Sequence, residues 1–213
     1  MSSRNSSSRA KKTFHATEQE RPEGQRQRAA FIEARQEFDP SALLFVDESG
    51  SNQALARDYG RAPRGQRAPG AKPVQRGRHV TMVGALGLVG VVAAMTVEGF
   101  VDGAAFLAFV QEVLVPQRHP GQVVLLDHLK AHKVAGVQEA IEAVGARLLY
   151  LPPYSPDFSP IEECWSKIKA ILRTKAARTL ERLWEAITEA FAAITSQDAQ
   201  GWFTHAGYRV QSN

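Results

Sequence analysis

Four prolines within nine residues, Pro152, Pro153, Pro156 and Pro160, constrain this chain more than any other feature. Each fixes its own φ and restricts the residue before it, so neither a helix nor an interior strand can run through them. Regular structure must stop before the stretch and restart after it. Upstream, the apolar run Leu148–Leu151 reads as a short buried strand. Downstream, Ser159, Pro160 and Glu162 form the grammar of a helix start, with a hydroxyl N-cap, a proline at the first helical position and a carboxylate soon after. This predicts a helix from Pro160. Ile161, Cys164, Trp165, Ile168, Ile171 and Leu172 share one side of it and face a sheet. Glu162 lies at the flank of that stripe near Lys169, and Glu163 roughly opposite its centre, so geometry favours Glu162 as the glutamate reaching a site at the sheet edge. The same residues also read as a capping box with a solvated glutamate.

Two further apolar runs share one pattern. Leu43–Val46 leads into Asp47, and Val123–Leu126 leads into Asp127. Short continuous runs of this kind fit strands buried on both faces. His79–Leu88 and Gly90–Val97 are two more strands, making a three-stranded meander with the first. Helices are predicted over Glu23–Glu37 with a thin apolar stripe, from Asp102 as N-cap to Val115 before Pro116, over Val134–Val144 closed by Gly145, over Leu180–Ile194, and around Trp202. The order of elements predicts an α/β fold of the ribonuclease H-like type (retroviral integrase superfamily), a mixed five-stranded sheet flanked by helices. In it the first and fourth strands lie side by side and parallel, so Asp47 and Asp127 face one crevice. Residues 1–40 are expected to be a disordered basic tail and linker helix, and residues 41–213 one domain with a basic excursion at about 51–79.

The net charge of +4 is unevenly placed. Residues 1–12 carry Arg4, Arg9, Lys11 and Lys12 without an acid, and the excursion carries Arg57, Arg61, Arg64, Arg67, Lys72, Arg76 and Arg78 against Asp58 alone. The rest of the chain is net acidic. Segregated positive charge favours a nucleic-acid surface over general solubility. No uninterrupted apolar stretch reaches about 18 residues and the N-terminus lacks an apolar signal core, so neither a membrane span nor secretion is indicated, and a cytoplasmic location is expected. The single cysteine, Cys164, excludes an internal disulfide and most cysteine-based metal sites, and reads as a small buried residue.

Asp47, Asp127 and Glu162 together suggest a metal-dependent site. Carboxylates this close repel one another unless a divalent cation neutralises them, and oxygen ligands alone suit Mg²⁺ or Mn²⁺. Two such ions about 4 Å apart activate an attacking water or 3′-hydroxyl on a phosphodiester and stabilise the leaving oxygen. Singly, each aspartate also reads as a turn or helix cap. Asp102 and Glu98 are rival ligands, though Asp102 is explained as an N-cap. His128 and His132 stand close enough to Asp127 to touch metal or phosphate, and equally read as polar residues of a loop or helix start. His79 reads as structural.

Four motifs in order, F-V-D-E-S-G from Phe45, Y-G-R-A-P-R-G-Q-R from Tyr59, L-L-D-H-L-K-A-H-K from Leu125 and L-P-P-Y-S-P-D-F-S-P-I-E from Leu151, resemble the catalytic (DDE-type) domain of bacterial insertion-sequence transposases of the mariner-like superfamily. Asp127 and Glu162 are 35 positions apart, the spacing of that superfamily's triad. The resemblance implies a DNA transposase that cuts element ends and joins the freed 3′-hydroxyls to target DNA. It implies Asp47, Asp127 and Glu162 as catalytic, metal-binding residues holding Mg²⁺, with Mn²⁺ substituting. It further implies a homodimer on paired transposon ends, with the basic excursion against DNA phosphates and the protein at the nucleoid. His128 stands where the family usually has asparagine, as does Ser159. Family members usually carry an upstream helix-turn-helix module, and some forty residues before the first strand are expected to be too few for it. A separately encoded recognition half, or truncation, is the corresponding expectation. The alternative from another class is a non-catalytic DNA-binding or dimerisation fragment of a split or truncated transposase.

Overall fold

The computed structural model describes residues 17–57 and 59–210, the side chains of residues 18 and 19 excepted. Of the tail and linker helix expected over residues 1–40, residues 1–16 lie outside them. Leu43–Asn52 (β1), His79–Gly87 (β2), Gly90–Glu98 (β3), Val123–Leu126 (β4) and Arg147–Tyr150 (β5) form one sheet in the order β3-β2-β1-β4-β5. The β1–β2 and β2–β3 pairs are antiparallel, and β1–β4 and β4–β5 are parallel. The expected mixed sheet therefore forms, with the first and fourth strands adjacent and parallel.

β1 is longer than its apolar run predicts. It continues to Asn52 because β2 pairs with it from Phe45 to Asn52, whereas its parallel ladder with β4 spans only Leu43–Phe45. Asp47 thus lies within β1 but beyond the point where β4 leaves it. Side chains alternate across the sheet. Leu43, Phe45, Val80, Met82 and Leu125 pack on one face against Ile161–Lys175 (α4), Leu180–Ala192 (α5) and Ser196–His205 (α6). Leu44, Val46, Val83, Val124 and Leu126 pack on the other against Gly103–Ala108 (α2), its continuation through Leu114, and Val137–Ala143 (α3). Each fully buried Leu or Phe contributes about 1.5–3 kcal/mol of transfer free energy, so strands covered on both faces dominate the stabilisation.

Asp102 caps α2 as expected, accepting from the Ala105 N–H at 2.9 Å, and the helix then widens into a π-type segment over Phe109–Leu114. α3 starts three residues later than predicted. Gly136, at φ +96, redirects the chain after a tight turn over Lys130–Lys133. α4 starts at Ile161, and the expected side-chain cap from Ser159 is not made. The Ser159 main-chain carbonyl takes the Glu162 N–H instead, at 3.2 Å, and Ser159 itself is buried. Residues 53–78 hold turns and bends but no helix or strand among the described residues.

Pro22–Ala34 (α1) carries the thin stripe expected of it, yet it is docked. Phe31 stacks on Phe158 with ring centroids 5.4 Å apart. Arg28 lies over the same ring, donates to Ser155 Oγ at 2.7 Å and grips both Asp157 oxygens at 2.9 and 2.6 Å. The proline-rich connection is thereby held from its outer side.

Candidate active site

A cavity of about 470 Å³ opens where β1 and β4 part, and Asp47, Asp127 and Glu162 all line it. Each owes its place to a different element. The β1–β4 register runs from Leu43 opposite Val123 to Phe45 opposite Leu125, and continuing it sets Asp47 level with Asp127. Glu162 projects from the first turn of α4, whose buried stripe of Ile161, Cys164, Trp165, Ile168 and Leu172 presses the helix on the sheet. The outer wall is the proline-rich stretch Pro152–Pro156 with Ser159. Within it Tyr154 adopts φ +57, a left-handed conformation that costs an L-residue about 1–2 kcal/mol.

The electrostatics are those of unneutralised negative charge. Burial pushes the Asp47 carboxyl up to about 7, and the neighbouring Glu162 and Glu48 push the same way. The Trp165 Nε1–H donates to Asp47 Oδ2 at 2.9 Å and offsets part of this. Glu162 is also raised, by burial first and then by Glu163 and Asp127, against the pull of Lys169. Burial likewise disfavours the charge of Asp127, but the His132 ring and the Leu129 N–H hold its carboxyl below the usual range. Among the described residues no three His, Cys, Asp or Glu side chains stand close enough together to hold an ion as placed. The donor set nevertheless fits a hard divalent cation: three carboxylates line one cavity, and burial and neighbouring carboxylates oppose the ionisation of two of them.

His132 is wholly buried among these groups. Its Nε2 lies 3.0 and 2.9 Å from the two Glu48 oxygens. Its Nδ1 lies 2.7 Å from Asp127 Oδ1, off the line of a good hydrogen bond. Burial opposes its charge, yet the two carboxylates raise its pKa to about 9. Glu48 follows Asp47 on β1 and so points to the opposite face of the sheet. Sequence patterning assigns no role to Glu48 or to the Trp165 nitrogen. A carboxylate alternating with Asp47 on a buried strand does demand a partner, which the histidines of D-H-L-K-A-H could have suggested.

His128 lines the cavity, with its Nδ1 2.7 Å from Lys133 Nζ and its ring stacked on Tyr150. Burial and then Lys133 lower its pKa, against the pull of Asp127. Glu98 is not among the residues lining the cavity, and it pairs with Arg78 at 2.8 Å. Arg57, Arg61, Arg64, Arg67, Lys72, Arg76 and Arg78 are all exposed on the excursion. Arg57 and Lys72 share a second cavity, of about 450 Å³, with Arg173 and Arg178 near the end of α4.

These features define a carboxylate-lined cavity at a strand divergence. The profile of the DDE superfamily endonuclease family matches residues 42–184, and the chain belongs to that family. A search of curated proteins finds no match. Among solved structures, a pre-cleavage Mos1 transpososome matches with a TM-score of 0.75 and 14% identity over 95% of this chain and 64% of that one. The Mos1 mariner paired end complex with Mn matches with a TM-score of 0.63 and 18% identity over 85% of this chain and 57% of that one. The Mos1 transposase catalytic domain with Raltegravir and Mg gives 0.62 and 14%, over 85% of this chain and 86% of that one. The chain thus spans 64% or less of the transposase in the two complexes. Identity this low speaks to the fold, which is the ribonuclease H-like α/β architecture expected from the sequence.

Proposed function

We propose that this chain is a transposase catalytic domain, which cuts DNA at the ends of an element and transfers the freed strands to target DNA. The observation that carries the reading is the meeting of Asp47, Asp127 and Glu162 on one cavity, with Asp47 and Glu162 raised by burial and by neighbouring carboxylates. These three would hold Mg²⁺, or Mn²⁺ in its place. The bound ions would supply activation of the attacking water or 3′-hydroxyl and stabilisation of the leaving oxygen. Trp165 orients Asp47, and the proline-rich wall, stiff in itself and gripped by Arg28, keeps the cavity's shape. The seven exposed cations of the excursion meet phosphates.

The motif resemblance supports a place among bacterial insertion-sequence enzymes, acting at the nucleoid as a homodimer on paired ends. Residues 41–213 are then the catalytic domain, with α1 docked on its proline-rich wall.

Nicking of supercoiled plasmid in Mg²⁺ and Mn²⁺ tests the reading. Activity should fall about 100-fold or more in Asp47→Asn and Glu162→Gln, the scale of losing a charge-stabilising group, and persist in Glu163→Gln. Loss confined to Glu163→Gln would move the site to the other flank of α4. A folded wild type that never nicks would favour the non-catalytic fragment instead.

A further inference from the structure

We infer that His132 is a positioning residue of this site: seated by Glu48, it fixes Asp127 so that one carboxylate oxygen faces the cavity. The inference rests on reading Asp127 as a metal ligand.

The ring's own seat is independent of the cavity. Both Glu48 oxygens meet its Nε2, the Phe106 ring lies 4.2 Å away between centroids, and the Tyr150 hydroxyl donates to the His132 main-chain carbonyl at 3.3 Å. None of Glu48, Phe106, Tyr150 or His132 lines the cavity. Asp127, by contrast, has a side chain 45% exposed and would sample several rotamers if left alone. It is Asp127 that comes to the ring. The Nδ1 approach at 2.7 Å and the Leu129 N–H at 2.9 Å both fall on Oδ1, which leaves Oδ2 to the cavity. A carboxylate fixed through one oxygen is presented to an ion through the other, as neighbours that orient metal ligands do.

The sign of the effect separates positioning from charge. Each ring nitrogen faces a carboxylate oxygen. A ring that acted by positive charge alone would repel a metal ion, and removing it would tighten binding. Positioning requires the opposite.

The test is Mn²⁺ binding to the full chain by titration calorimetry, with circular dichroism and thermal melts confirming folding. The amide nitrogen of glutamine stands near the place of Nε2 and that of asparagine near Nδ1. His132→Gln therefore keeps its hold on Glu48 and releases Asp127, and His132→Asn does the reverse. Expected is loss of binding in Asp127→Asn, about 10- to 100-fold weaker binding in His132→Gln, and a smaller, several-fold loss in His132→Asn, which keeps the contact with Asp127 but loses the Glu48 seat. Nicking should follow the same order with DNA affinity unchanged. Wild-type or tighter Mn²⁺ binding by folded His132→Gln would overturn the inference, as would equal weakening in both histidine variants. Should His132→Gln not fold, Phe106→Leu loosens the ring's seat without altering charge. Several-fold weaker binding then supports the inference, and unchanged binding overturns it. If the wild type itself binds no Mn²⁺, the metal-site reading fails and this inference falls with it. That result is distinct from one in which only Asp127→Asn differs from wild type.

Discussion

Gly84 lies opposite Asp47 in the β1–β2 ladder, and a Cβ there would stand 2.9 Å from Trp165 Cη2 and 3.7 Å from Phe191 Cε1. The missing side chain makes room for the indole that donates to Asp47. Gly84→Ala should therefore cost about 1–3 kcal/mol in denaturant unfolding and reduce nicking, because the displaced indole no longer meets the carboxylate. Gly201 provides the contrast. It sits inside α6 with open space for 4 Å around the point where a methyl would stand, so Gly201→Ala should stabilise by about 0.5–1 kcal/mol in the same assay. At this scale the three cavity carboxylates were legible in sequence, because each follows a buried run or a proline-marked helix start. Trp165 was legible only as an apolar residue of a stripe, and His132 only as a loop histidine. Their partners Asp47 and Glu48 lie 118 and 84 positions away, separations that no local pattern reports.

Between elements, α6 is tied to α4 through one carboxylate. Asp198 accepts from the Thr195 N–H and hydroxyl as half of a capping box, and it pairs with Lys167 of α4. Lys167 first, and then Thr195, hold its pKa down to about 2. A carboxyl depressed in the fold contributes stability that is present above its unfolded value near 3.8 and is lost as pH falls through the folded value. Asp198→Asn should thus lower stability by about 1–2 kcal/mol at neutral pH. The gap should narrow between about pH 4 and pH 2, as thermal melts across that range would show. Strand and helix identities were legible here because period and punctuation agree. Several boundaries were not. β1 outran its apolar run because β2 supplies a partner along its outer half, and α4 began without the Ser159 cap because a main-chain carbonyl took the donor.

Across the whole molecule, α4 links the two functional regions. Glu162 opens it and Arg173 nears its end, roughly 17 Å along the axis at 1.5 Å per residue, or about five base pairs of duplex at 3.4 Å each. Phosphates on the excursion and a scissile bond in the cavity are thus commensurate with one short DNA segment. Replacing Arg61, Arg64 and Arg67 by Ala should weaken binding of unrelated DNA sequences alike and reduce the log–log salt slope by about 1 for each phosphate no longer neutralised. An unchanged slope would show those cations merely solvated. The loop's basic character was legible from composition, whereas its approach to Arg173 and Arg178 depends on the packed position of α4. The wide spacing of the cavity's carboxylates also orders events during synthesis. Asp47 and Glu162 are 115 positions apart, which a ribosome adding about 5–20 residues per second crosses on the order of ten seconds. From the addition of Arg78 until that of Glu162 the nascent chain has its arginine-rich loop but not its third carboxylate. On the proposed reading it can hold a polyanion before it can cut one, and a chain released early is a binder without a blade.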